Sequence, residues 1–343
     1  MNIKSLLLGS AAALAAVSGA QAADAIVAAE PEPLEYVRVC DAFGTGYFYI
    51  PGTETCLKVG GYVRFEVGFG PGAYQVTNGA GVVTGNSDWD TYTRAQLDFT
   101  AKSDTELGTL TSVASVRFEY GDDTVFSSNA NDVYINEASI QLGGFKIGRW
   151  LNWWDEYDLP GELDNLGSLR LNSIQYMYTS DAFFAGIQAD ELSYSGGNGV
   201  GIEAIAQASF GPATLQILGS YDLETDDGAI RGIGSVAIGP GTFYLSGLYS
   251  TGRNAYYDVG EATVAVAYAW KATDKLEIIP EAQYIWNTEL VGDDFGGDDA
   301  WGVGVTVNYE IVENFAAKVA VNYQEVGDDD GTVQGIVRLQ RNF

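Results

Sequence analysis

Between Arg149 and Asn172 the chain reads "RWLNWWDEYDLPGELDNLGSLRLN", which sets five carboxylates (Asp155, Glu156, Asp158, Glu162 and Asp164) beside three tryptophans. Two further acidic runs, "GDDFGGDD" at 292–299 and "GDDDG" at 327–331, and one cysteine pair, Cys40 and Cys56, complete the residues whose types and spacing suggest chemistry. Carboxylates attract cations, but neither acidic run has the ligand spacing of an EF-hand, so solvated loops are the favoured reading. The chain has no histidine. A Ser-His-Asp triad, a Cys-His pair and a histidine-bound zinc are therefore excluded. Glycine runs such as "GVGIEA" lack the strand-to-helix context of a phosphate cradle. No catalytic residue, cofactor or metal is expected.

The elements that must position these residues are short alternating segments. "GYVRFEVGF" places Val63, Phe65, Val67 and Phe69 on one face and Arg64 and Glu66 on the other. "RAQLDFTAK", "SVASVRFEY" and "GTVQGIVRLQRNF" repeat the pattern, with Arg94, Arg117 and Arg338 on the polar phase and mid-strand. Past residue 57 about sixteen strands of roughly 8 to 13 residues are expected, a length suited to tilted membrane strands. Tight turns at Gly143-Gly144, Asp181-Ala182, Gly211-Pro212, Pro240-Gly241 and Thr273-Asp274 alternate with long polar connections near 70–89, 121–131, 151–172, 222–229, 251–259 and 287–299. Aromatics cluster at expected strand ends: Phe69, Tyr120, Phe210, Tyr221, Trp270, Trp286, Trp301, Tyr309 and Phe343. A soluble sandwich also alternates, but an even number of antiparallel strands can close and leave no edge. The expectation is an all-β, 16-stranded antiparallel transmembrane β-barrel over 58–343.

Residues 1–22 read as a signal peptide: Lys4, the apolar "LLLGSAAALAAV", and the small-x-small site Ala20-Gln21-Ala22. The exported chain would keep 46 acidic and 16 basic residues, a net charge of −30. Such a chain should not bind nucleic acid, whose phosphates repel it. Residues 23–57 do not alternate and form an expected amino-terminal segment on the periplasmic side. An isolated cysteine pair in an exported protein reads as a disulfide, Cys40–Cys56. It would close a loop of about 15 residues and contribute on the order of 3 kcal/mol. A redox-active pair is the alternative, but the C-x-x-C spacing is missing.

The stretch "EYVRVCDAFGTGYFYIPGTETCLKVGGYVRFEV", with its leader, resembles the amino-terminal signature of the alphaproteobacterial porin family. "LGGFKIG" at 142–148 and the closing "GIVRLQRNF" are similar to that family too, while the sequence between is less so. The resemblance implies a homotrimer in the outer membrane with a passive water-filled channel for small hydrophilic solutes, narrowed by an inward-folded third external loop. Counting connections makes 151–172 that loop. Its carboxylates would then oppose Arg64, Arg94, Arg117 and Arg338 across the channel, giving a weak preference for cations. Ordinary surface charges, or arginines simply paired with Glu66, Asp98 and Glu119, are the competing reading. A solute-specific channel with a saturable site is the alternative function. Divalent ions could bridge the acidic loops to lipopolysaccharide. Phe343 matches the family's membrane-insertion terminus, whereas Arg341 stands where an aromatic is common and could snorkel to the interface.

Overall fold

Sixteen strands close on themselves among the described residues. The computed structural model describes residues 38–77, 83–121, 131–163, 166–167, 169–194 and 197–343. The expected signal peptide, Asp164 and the centres of the first two long connections lie outside them. The barrel runs through β2 (Cys56–Thr77), β3 (Val83–Thr105), β4 (Gly108–Gly121), β5 (Asn131–Leu142) and β6 (Phe145–Leu151). It continues through β7 (Arg170–Thr179), β8 (Phe183–Tyr194), β9 (Gly197–Phe210), β10 (Ala213–Asp222), β11 (Asp227–Ile238) and β12 (Gly241–Ser250). β13 (Ala262–Lys271), β14 (Leu276–Trp286), β17 (Ala300–Val312), β18 (Phe315–Val326) and β19 (Thr332–Asn342) complete it. Every neighbour is antiparallel, and β19 pairs with β2 from Asn342 opposite Tyr62 to Gly335 opposite Phe69. Closure satisfies the backbone of both end strands, which lipid requires.

Alternation selects the faces. Val63, Phe65, Phe99, Phe118, Ile174, Ile187, Ile217, Ile230, Val264 and Val303 are exposed on the apolar phase, as a lipid-facing wall demands. Exposed aromatics form two rows. Phe145, Tyr178, Phe183, Phe210, Trp270 and Tyr309 flank the tight turns, and Trp89, Tyr120, Tyr221, Tyr249, Trp286 and Trp301 lie at the opposite strand ends. Among the described residues no helix is long and apolar enough to cross a membrane, which says nothing of a barrel.

β1 (Tyr47–Tyr49) explains the amino-terminal segment. β19 leaves β2 at Tyr62, and Phe343 exchanges two backbone hydrogen bonds with Gly61 (3.1 and 3.0 Å). The first residues of β2 would then be an open edge. β1 fills it, with Tyr47 opposite Lys58 and Tyr49 opposite Cys56, and the Cys40–Cys56 disulfide pins the segment there. The Arg341 guanidinium donates to the Asn314 carbonyl at the neighbouring turn (3.2 Å).

Two connections differ from expectation. β2 and β3 have 22 and 23 residues, so most of the expected 70–89 loop is strand. The expected 222–229 loop is only Leu223–Asp226, with Asp226 at φ 61° closing the turn. A ladder needs only backbone hydrogen bonds, so a strand can continue where no apolar alternation marks it. The 287–299 connection also holds a small hairpin, β15 (Glu289–Val291) and β16 (Asp294–Gly296).

Candidate functional site

The 152–169 connection follows the fifth barrel strand, as the turn count anticipates, and is termed L3 below. It opens on a four-residue helix, α1 (Trp153–Glu156). Asn152 caps it: its Oδ1 accepts from the Trp154 N–H (3.2 Å) and its Nδ2 donates to Glu203 Oε1 (3.3 Å). Such a cap satisfies an orphan N–H at a helix start.

Arg231 on β11 holds the next turn. Its guanidinium is 1% exposed and donates to four L3 carbonyls: Trp154 (2.6 Å) and Leu166 (3.2 Å) through Nη1, and Trp153 (3.0 Å) and Tyr157 (2.6 Å) through Nη2. Asp158 Oδ1 lies 3.8 Å from Nη1, and the Trp154 ring lies 5.0 Å from the guanidinium carbon. Farther along, the Leu163 N–H donates to Glu281 on β14 (3.0 Å), whose carboxylate also accepts from Thr306 (2.9 Å). Glu162 pairs with Lys318 on β18 and with Arg338 on β19 (3.4 Å), while Asn322 Nδ2 donates to its carbonyl (2.8 Å). One 18-residue connection thus reaches β11, β14, β18 and β19, always through the strand phase opposite the exposed apolar residues.

That phase is not uniformly polar. Under L3 it carries Leu192, Ile205, Leu218, Ala229, Ile233, Leu248, Ala265, Ala267 and Ile279, which form one buried cluster with Trp153, Trp154, Leu159 and Leu166. Apolar residues there would face water if L3 did not cover them. Gly302 and Gly304 make room for Leu163, whose atoms lie 3.1 and 3.2 Å from where a Cβ would sit.

The rest of the phase, on β19 and β2–β4, is charged. Arg64 stands directly opposite Arg94, a like-charge pairing that is normally unfavourable. Neighbours offset it: Arg64 donates to Gln340 (2.8 Å), Arg94 pairs with Glu119, and Tyr62 and Tyr92 stack against the two guanidiniums (5.0 and 4.9 Å). Tyr92 and Tyr134 also donate to Glu119 (2.8 and 2.7 Å). Arg117 donates to Gln96 (2.7 Å), and Arg338 pairs with Glu66. Asp98 accepts from Gln96 (2.9 Å).

The four arginines therefore form one patch, and among the described loop carboxylates Glu162 pairs with its Arg338 (3.4 Å). Asp158 turns towards Arg231, Glu156 is exposed in the field of Lys146 and Glu137, and Asp155 lies within electrostatic reach of Arg170. Of the acidic runs, Asp299 accepts from Tyr284 (2.7 Å) and the Asn287 N–H (3.0 Å), which hold its carboxyl below the usual range. Sequence reasoning missed Arg231, Glu281 and Lys318. Arg231 had a signal: a lone arginine between Ala229 and Ile233 on one phase. Glu281 and Lys318 had none, because their partners are distant in sequence. Fixed charges on facing walls can steer ions.

Residues 24–340 match the model of the porin subfamily. The chain is a porin. It is 44% identical over 360 residues to outer membrane protein IIIA of Rhizobium leguminosarum bv. viciae, covering 98% of this chain and 93% of that protein. It is 35% identical over 381 residues to the porin Omp2b of Brucella neotomae, with both chains covered completely. A loop-deletion mutant of the Vibrio cholerae outer membrane protein OmpT shares the fold, with a TM-score of 0.62 at 14% identity over 85% of this chain and all of that one. This porin is an outer-membrane β-barrel and a passive channel, and its identity follows from the family, since the barrel alone would not distinguish a channel from another membrane barrel.

Proposed function

We propose that this porin is a water-filled diffusion channel for small hydrophilic solutes and ions, narrowed by L3 folded into its lumen and weakly selective for cations. The observation that carries the reading is the span of L3 from Arg231 to Lys318 and Arg338, on the strand face opposite the lipid-facing residues. Irregular backbone at membrane depth is tolerated only within protein or beside water. The arginine patch and the loop carboxylates would set a transverse field at the narrowest point. At 0.1 M salt the Debye length is about 10 Å, so only charges near the constriction act on a passing ion. Family membership supports a homotrimer embedded among outer-membrane lipid and lipopolysaccharide.

The test is single-channel recording in planar bilayers under a salt gradient. Neutralising Asp155, Glu156, Asp158, Glu162 and Asp164 together should move the zero-current potential towards anions, and neutralising Asp328, Asp329 and Asp330 should leave it nearly unchanged. Equal shifts from the two sets would refute L3 as the constriction. Linear flux with solute concentration in proteoliposomes is expected, and saturable flux would favour a solute-specific channel.

A further inference from the structure

The connection 251–261 between β12 and β13, termed L6, is also built inward. Asn254, Tyr256 and Tyr257 are buried, although they belong to a connection between strand ends. Asn254 organises the loop from within: its Nδ2 donates to Ser250 Oγ, the Gly252 carbonyl and the Tyr257 carbonyl, and its Oδ1 accepts from the Tyr256 and Tyr257 N–H groups (2.9–3.1 Å). The two tyrosines then project in different directions. Tyr256 donates its hydroxyl to Asp190 on β8 (2.7 Å) and passes over Gly201 on β9, where a Cβ would lie 1.9 Å from that hydroxyl. Tyr257 stacks on Trp154 of L3 (6.2 Å, 26°) and bonds Thr263. On the L3 side, Gly167 runs beneath L6, with the Tyr256 carbonyl 3.0 Å from where its Cβ would stand.

We propose that L6 is a brace that fixes the position of L3, with Tyr257 and Tyr256 as positioning residues for the channel's width. The inference rests on the reading of L3 as the constriction. Trp154 meets both the Arg231 guanidinium and the Tyr257 ring, so neither the barrel wall nor L6 alone accounts for its place. Asp190 is 3% exposed and already accepts from Ser173 and Gln188, so the Tyr256 hydroxyl completes a rigid anchor rather than a chance surface contact. The brace extends outward as well: the Arg253 N–H donates to the Asp293 carbonyl (2.8 Å), tying L6 to the turn between β15 and β16. L6 is therefore joined to the β15–β16 hairpin by a backbone hydrogen bond.

The test uses the full-length protein, with folding of each variant checked by its heat-modifiable migration. Tyr257→Ala should raise single-channel conductance on the order of 1.5-fold and add open-channel noise, because a loosened constriction loop widens the narrowest section. Tyr257→Phe keeps the ring on Trp154 and should conduct as the parent does. Asn254→Ala should reproduce the noise of Tyr257→Ala, and it carries the test if Tyr257→Ala does not fold. Parental conductance and noise in a folded Tyr257→Ala or Asn254→Ala variant would overturn the brace. If that happens while the five-carboxylate variant still shifts the zero-current potential, the brace alone is wrong and the constriction stands.

Discussion

The Nη1 of Arg231 lies 2.6 Å from the carbonyl oxygen of Trp154, at a point where neither residue reaches bulk water. The same guanidinium serves three more carbonyls, so its planar fork does what a point charge could not. Arg231→Met strands those carbonyls, and an unsatisfied buried group costs about 1–3 kcal/mol. A lower unfolding temperature and a larger, noisier conductance are expected. Arg231→Lys should fall between parent and Arg231→Met, and equal conductance in all three would remove Arg231 from the control of L3.

Gly161 offers a gentler lever on the same loop. It sits at φ 120°, and a Cβ there would lie 2.0 Å from the Glu281 carboxylate. Gly161→Ala should push the L3 tip off β14 at a cost of about 1–3 kcal/mol. Bilayer recording should show an altered conductance, while the migration of the folded barrel stays close to that of the parent.

Arg64 and Arg94 face one another across the β2–β3 ladder. The double variant Arg64→Gln, Arg94→Gln removes two like charges, so the barrel should lose little stability. The zero-current potential in a salt gradient should shift towards cations, opposite to the shift from neutralising the loop carboxylates. A shift of the same sign would mean that this patch does not line the ion path.

Cys40 and Cys56 bind β1 onto the start of β2, far along that strand from the arginines. Replacing both with serine should lower stability by about 3 kcal/mol on the chain-entropy scale. Chemical unfolding with and without reductant measures this. Conductance should not change, because the pair touches neither L3 nor the basic patch.

The L6 tyrosines give a pH window. Burial pushes the Tyr257 hydroxyl up to about 12, and burial together with the Asp190 carboxylate raises Tyr256 as well. A folded-state value above that of the unfolded chain, about 10, means the stabilisation is complete below 10. It is lost as pH climbs through the folded value. Open-channel noise should stay constant from neutrality to about pH 10 and grow beyond it. Tyr257→Phe should shift that onset, and an onset well below 10 would point to another group.

The barrel was legible because lipid imposes period-two alternation on every strand, and Val63, Phe65 and Phe118 carry it plainly. L3 was legible from its length and its turn count. The charged patch followed from phase alone, since Arg64, Arg94, Arg117 and Arg338 share the face away from lipid. What held L3 was not legible. Ile205, Ala267 and Ile279 read as ordinary apolar positions until closure turned them inward, and Glu281 meets Leu163 across 118 residues of sequence. The pairing of Tyr257 with Trp154 depends on two connections meeting, which no local pattern encodes.

The buried cluster shared by L3, L6 and the inner phase of β8–β14 gives the barrel two unlike arcs. Along one arc the inner wall is packed against L3 and L6, while along β19 and β2–β4 it carries the arginine patch. Local opening should be harder where both sides are packed. Hydrogen–deuterium exchange in a bilayer should therefore divide the ring of strands unevenly, with amides of β9–β13 the slowest to exchange. Seven strands of this ring share the packed cluster, and the four that carry the arginine patch lie outside it.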